Sequence, residues 1–250
     1  GSLGCVEFFV ALFFDIMKHS PNFKMNGKNE DLFFLSNGHI SPVYYSVLSR
    51  SGYFPISELN TFRKINSRLQ GHPATHEKLP GIRVASGSLG QALSVAIGSA
   101  ISKKLNNEDN TIFCLCGDGE LQEGQIWEAV MYAGAKKIDN LILTIDVNRQ
   151  QICGSTNEIL NLGDLQKKFS AFKWKVINVK NGNKIEDVIE KLKLSKLKSS
   201  KGHPICLLLN TEMGYGVDFM MGSHKWHGIA PNNEQLKIAL NQLDETIGDY

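Results

Sequence analysis

Two apolar runs rich in β-branched residues, Thr111-Ile-Phe-Cys-Leu-Cys and Asn140-Leu-Ile-Leu-Thr-Ile, flank a segment in which Leu121, Ile126, Ala129, Val130 and Ala133 recur at helical spacing. Runs of strand length joined by one helix form a βαβ unit, and such a crossover holds its two strands parallel. Both strands then bring their polar ends to the same edge of the sheet. The first ends in Gly117-Asp118-Gly119 and the second in Asp146-Val147-Asn148. The rest of the chain extends this pattern. Helices are predicted over residues 3–18, 42–50, 56–68 (with Ser57 as cap), 89–105, 164–169 and 185–196. Further strands are predicted over 174–179 and 204–211, and loops over 21–31, 70–83 and 150–162. Strands apolar on both faces and alternating with helices predict an α/β fold, a parallel sheet with helices on both faces.

An aspartate between two glycines at a strand-to-helix turn admits two readings. Asp is a good helix cap and is common in turns. Alternatively, the turn lies beyond the carboxyl end of a parallel strand, where ligands collect and unpaired N–H groups attract anions. An acidic side chain there repels a phosphate unless a cation stands between them. Asn148, delivered to the same edge by the second strand, favours the metal reading. The Asp118 carboxylate, the Asn148 amide oxygen and a backbone carbonyl, that of Gln150, make a set of hard oxygen donors suited to Mg2+, with Ca2+ or Mn2+ able to replace it. The remaining positions suit diphosphate oxygens and water.

Composition mainly excludes. With 250 residues, 42% hydrophobic and 21% charged, the chain is expected to form a single domain over residues 1–250, with 231–250 as a helical tail. A net charge of +2 offers no basis for nucleic-acid or membrane binding, and the lysines of residues 191–201 read as a solvated helix end. Residues 6–14 are too short an apolar run to span a bilayer and lack a basic segment ahead of them, so they read as a buried helix. Five cysteines without a CxxC pair predict reduced thiols in a cytoplasmic protein.

GDGELQEGQIWEA followed by NLILTIDVN resembles the thiamine-diphosphate motif in its transketolase form. Four other segments resemble that family in order along the chain: FFLSNGHISPVYYSVL, RLQGHP, SGSLGQALSVAIGSA and GSHKWHG. The resemblance implies thiamine diphosphate and Mg2+ as cofactors. It also implies that this is the N-terminal, diphosphate-binding subunit of a split transketolase, because the family's pyrimidine-binding and C-terminal domains have no counterpart here. The other half is then a separate chain, expected to assemble as two copies of each.

Residue by residue, the resemblance implies that His39 contacts the diphosphate and the substrate's hydroxyl end. It places His72 on the donor sugar's hydroxyls, and His224 between diphosphate and substrate. Imidazoles suit ketol transfer, in which protons move on and off oxygen near neutral pH. His19, His76, His203 and His227 are read as ordinary histidines, although His227 neighbours the last motif. The cofactor-binding set is completed by Gly87, which touches the aminopyrimidine through its backbone, Ser88, Leu89 as the wedge that keeps the cofactor bent, Gly117, Asp118, Gly119 and Asn148. Glu123 and Glu128 are implied to form an acidic network with the partner subunit, whose glutamate activates the cofactor.

Three departures from the family pattern stand out. A Gly-His-x-Gly expected just before Gly1 is absent, which predicts that a stretch preceding Gly1 is missing. Ala92 replaces a usual glycine, and Cys153 stands where Asp is common. The activity implied is transfer of a two-carbon ketol unit from a ketose, carrying a phosphate, to an aldose. The alternatives are a deoxyxylulose-phosphate synthase, the first component of a 2-oxo acid dehydrogenase, or a non-catalytic homologue that binds the cofactor.

Overall fold

Phe113 and Leu115 of strand β2 (Ile112–Gly117) pack into one apolar cluster while Ile112, Cys114 and Cys116 pack into another, and all five side chains are buried in the computed structural model, which describes residues 1–243. The two clusters are the two faces of one sheet, as the unbroken apolar strands require. The sheet also contains β1 (Leu32–Leu35), β3 (Leu141–Val147), β6 (Lys175–Val179) and β7 (Ile205–Asn210), in the order β1-β2-β3-β7-β6 with every neighbour parallel. A short antiparallel hairpin, β4 (Gln150–Gln151) with β5 (Gly154–Ser155), stands apart from it.

Helices α3 (Ala92–Leu105), α4 (Gly124–Ala135) and α6 (Leu165–Ala171) cover one face. Helices α1 (Val6–Ala11), α2 (Ser41–Arg50) and α7 (Ile185–Lys198) cover the other. The chain winds in one direction through β1, β2 and β3, passes to the far edge at β6 and returns to β7. That reversal puts α7 opposite α3, α4 and α6, as right-handed crossovers demand. The helix at the chain start continues beyond α1 as a π turn, Leu12–Ile16, and its Phe8, Phe9 and Phe13 join Phe33 and Tyr44 in an aromatic cluster. Fully burying one such side chain stabilises by about 1.5–3 kcal/mol.

Several expectations are corrected. Residues 56–68 are not a helix: a 3-10 turn, Ile56–Thr61, gives way to turns in which Arg63 and Asn66 have left-handed φ values of 57° and 62°. Ser57 caps nothing there. The apolar spacing that mimics a helix is incomplete, since Ile65 is exposed. β1 lies where no strand is predicted, because its four residues are too few to show a period. Residues 150–162 hold the hairpin and a short helix, α5 (Thr156–Leu160), closed by a capping box between Ser155 and Glu158. Within the solvated lysine run, Lys196 is half-buried, and its ammonium donates to the Ile16 carbonyl and to Asp31. In the tail, α8 spans Asn233–Gln242, and residues 244–250 of the predicted helical tail lie outside the described residues. Among the described residues no helix is long and apolar enough to cross a membrane.

Candidate functional site

The register of β2 against β3 pairs Gly117 with Asp146, so the Gly-Asp-Gly turn and the turn at residues 148–150 emerge side by side. The Asp118 carboxylate joins them: Oδ1 accepts from Gly119 N–H (2.8 Å) and Oδ2 from Arg149 N–H (2.7 Å). Asp146 turns the Asn148 amide by accepting from Nδ2 at 2.7 Å, and the Asn148 Oδ1 faces the Gln150 N–H at 2.9 Å. Thr211, beyond β7, donates to the other Asp146 oxygen. Gly119 is required by the close approach of the hairpin, since a Cβ there would lie 2.9 Å from the Gln151 Cβ and 3.9 Å from the Gln150 carbonyl oxygen. Two buried acids thus share this edge. Burial, and secondarily the Asp146 charge, push the Asp118 carboxyl up to about 7.

The histidines divide differently from the sequence expectation. Of the two in GSHKWHG, the sequence favours His224 and sets His227 aside. The structure packs His227 against His39, with ring centroids 4.8 Å apart. His224 opens the 3-10 turn His224–His227, which packs against the β4-β5 hairpin. His72 approaches the cluster from the third side and packs on Gly87, whose left-handed φ of 123° and contact with the ring exclude a side chain: a Cβ would lie 2.8 Å from the His72 Cδ2. His39 is lowered to about 3 by burial first and then by the neighbouring His227 charge, and His227 is lowered to about 4, chiefly by burial. Both imidazoles are therefore neutral at physiological pH.

Gly38 brings the third segment in, because a Cβ on it would lie 2.7 Å from the Ser86 Oγ and 2.8 Å from the Gly87 nitrogen. Asn37 Oδ1, Ser86 Oγ and His227 Nδ1 are buried without a hydrogen-bond partner. Leu89 is partly buried and Ser88 exposed on the loop before α3, which starts three residues later than predicted because Gly87 and Gly90 take left-handed φ values. Glu123 and Glu128 are exposed, the first beside Gly90 and the second on α4. Sequence reasoning misses three residues of this edge: His227, Asp146 and Glu120, whose buried carboxylate accepts from Ser36, Gly90 and Gly117. The one advance signal is position, Asp146 ending a strand and Glu120 following Gly-Asp-Gly.

The depressed imidazoles have a measurable consequence. The unfolded chain binds protons at His39 near its ordinary pKa of about 6.5, the folded chain only near 3, so this residue's contribution to stability is complete above pH 6.5 and is lost as pH falls towards 3. Relative to His39→Gln, the wild type is expected to lose on the order of 2 kcal/mol of unfolding free energy between pH 7 and pH 5. Denaturant unfolding of both proteins at the two pH values measures it. The buried carboxyls run in the opposite sense and cancel in the difference. Parallel pH profiles would discard the buried, neutral His39.

A family model described as the transketolase thiamine diphosphate binding domain matches residues 1–244. One of the subunits of the apulose-4-phosphate transketolase of Phocaeicola vulgatus is 37% identical over 247 residues, 99% of this chain and 86% of that protein. The 6-deoxy-6-sulfo-D-fructose transketolase subunit SqwG of a Clostridium species is 37% identical over 245 residues, 98% of this chain and 87% of that protein. Among solved structures, a Pichia stipitis transketolase in complex with sedoheptulose-7-phosphate superposes with a TM-score of 0.88 at 28% identity. That match covers 96% of this chain and 36% of the Pichia protein, so the chain spans about a third of the length of that transketolase.

Proposed function

Because the chain belongs to the transketolase family through its thiamine diphosphate binding domain, we propose that it is the diphosphate-binding subunit of a two-chain transketolase that moves a two-carbon ketol unit from a ketose to an aldose. One observation carries the reading: Asp118, the 148–150 turn and the cluster of His39, His72 and His227 meet at the carboxyl ends of parallel strands.

The residues fit the cofactors. Asp118, Asn148 Oδ1 and the Gln150 carbonyl would hold Mg2+, whose charge relieves the buried Asp118 and Asp146 pair. His39, His227, Gly117, Gly119 and the loop Gly87-Ser88-Leu89 would hold thiamine diphosphate, and the orphaned atoms of Asn37, Ser86 and His227 gain partners there. When bound, that cofactor supplies the nucleophilic carbon for carbonyl chemistry. The chain's own residues bind, orient and manage protons. Neutral His39 and His227 hydrogen-bond to anionic or hydroxyl oxygens, and an anion in the cleft raises their pKa towards the working range. His227, rather than His224, takes the position between diphosphate and substrate. His72, exposed on the other side of the Gly87 loop, is placed to meet the donor's hydroxyls.

A second chain supplies the rest. The names of the two relatives describe subunits, and α3 and α4 expose neighbouring stripes here: Ser94, Val95 and Gly98 on one, Glu128, Met131, Tyr132 and Ala135 on the other. Small and apolar groups along two adjacent helices suit close contact with the pyrimidine-binding subunit, with Glu123 and Glu128 meeting its glutamate, in an assembly of two copies of each. Both relatives' names carry an anionic sugar, a phosphate or a sulfonate, and a ketose with a distal anion is proposed for this chain too. The test assays the chain alone and with its co-purified partner, using thiamine diphosphate, Mg2+ and a panel of ketose phosphates with aldose acceptors. Turnover is expected only in the reconstituted enzyme. Turnover by a chain verified free of partner overturns the two-chain reading, and an inert reconstituted enzyme overturns ketol transfer.

A further inference from the structure

Glu120 is 3% exposed, yet it stands one residue beyond the Gly-Asp-Gly turn on a 3-10 turn, Gly119–Gln122, that follows the carboxyl end of β2. Its side chain folds back rather than outwards. Oε1 accepts from the Ser36 hydroxyl and from Gly90 N–H (2.7 Å), and Oε2 accepts from Gly117 N–H (3.1 Å). Each donor belongs to a different segment. Ser36 follows β1 and leads into Asn37-Gly38-His39; Gly90 ends the loop that carries Gly87, Ser88 and Leu89; Gly117 opens the turn that carries Asp118.

We propose that Glu120 is a positioning residue, a two-oxygen clasp that holds the three cofactor-bearing segments at one spacing. The inference rests on the reading of the site given above. Three donors converging on two oxygens fit a carboxyl side chain, which presents two acceptor oxygens in that shape. The clasp also explains the left-handed Gly90, with φ of 83°, because that conformation aims its amide at Glu120 while any side chain there would crowd the Glu123 Cβ at 3.3 Å. A carboxylate that served only to end β2 would need Gly117 alone. Here one group joins segments far apart in sequence: Ser36 is separated from Glu120 by 84 positions and Gly90 by 30.

Glu120→Gln replaces one oxygen by a donor, which then opposes a glycine N–H. Glu120→Asp keeps the carboxyl group but is one methylene too short to reach all three donors, and serves where the Gln variant folds poorly. In the chain without cofactor, the Gly90 or Gly117 amide is expected to exchange hydrogen at least about tenfold faster in either variant, with β3 amides at Leu143 and Ile145 unchanged. Calorimetry with thiamine diphosphate and Mg2+ on the variant reconstituted with its partner subunit is expected to give about tenfold weaker binding without a matching fall in the thermal midpoint, a split that a merely structural role does not produce. Unchanged exchange at both glycines overturns the clasp. Faster exchange with unchanged affinity, or slackening that spreads through β3, shows a structural role only and overturns the positioning role. If the wild type reconstituted with its partner subunit binds no thiamine diphosphate, the functional reading falls and the positioning role with it, while the exchange rates still decide the clasp.

Discussion

Asp118→Asn is expected to abolish Mg2+-dependent binding of thiamine diphosphate while leaving the fold in place. Asparagine keeps the volume and an oxygen that can accept from the Arg149 N–H, so the joint between the two turns survives. What it removes is the only carboxylate of the proposed ligand set, and neutral oxygens alone hold Mg2+ poorly. Loss of an outer contact in a metal site costs about 10–100-fold in affinity, and loss of the charged ligand itself should exceed roughly a hundredfold. The thermal midpoint should hold or rise, since burial opposes the Asp118 charge, as its pKa of about 7 records. Calorimetric titrations with and without Mg2+ read the first effect and thermal unfolding the second. Equal affinity for the two proteins in Mg2+ would remove Asp118 from the ligand set.

The second large effect separates the histidines. His72→Ala in the reconstituted enzyme is expected to keep its affinity for thiamine diphosphate and to lose roughly tenfold to a thousandfold in donor kcat/KM, as for one polar contact or proton-transfer group at the reacting end. His39→Ala and His227→Ala should weaken cofactor binding as well, because these rings are partly buried against each other beside the orphaned acceptors. His224→Ala, outside the His39–His227 ring pair, should do neither to that extent. Cofactor titrations and donor kinetics on the four variants decide it. A His224 variant with the larger cofactor defect, or a His72 variant with wild-type kinetics, would reverse the assignment made from the ring packing.

That exchange of roles between two histidines marks where legibility in the sequence stops. The β2-α4-β3 unit is readable because each run is long enough to display its period, and the meeting of Asp118 with the 148–150 turn follows from parallel pairing alone. β1 is not, with four residues and no period to display. Residues 56–68 mislead because apolar residues at helical spacing do not reveal left-handed positions such as Arg63 and Asn66. His224 and His227 are indistinguishable by composition, and only the 3-10 turn between them decides which ring reaches His39. Glu120 is invisible for a similar reason: an acidic residue after a turn reads as solvated until its three donors are seen arriving from other segments.

The bond from Lys196 to the Ile16 carbonyl spans 180 positions, and α1 packs mainly on α7. During synthesis at about 5–20 residues per second, α1 therefore waits on the order of 10–40 s before α7, on which it packs, leaves the ribosome. Phe8, Phe9 and Phe13 can meet β1 and α2 earlier, but the side turned to α7 stays open until then. This side of the fold is thus closed late, and a nascent chain stalled before residue 185 leaves the α7-facing side of α1 uncovered, open to a holding chaperone or to aggregation.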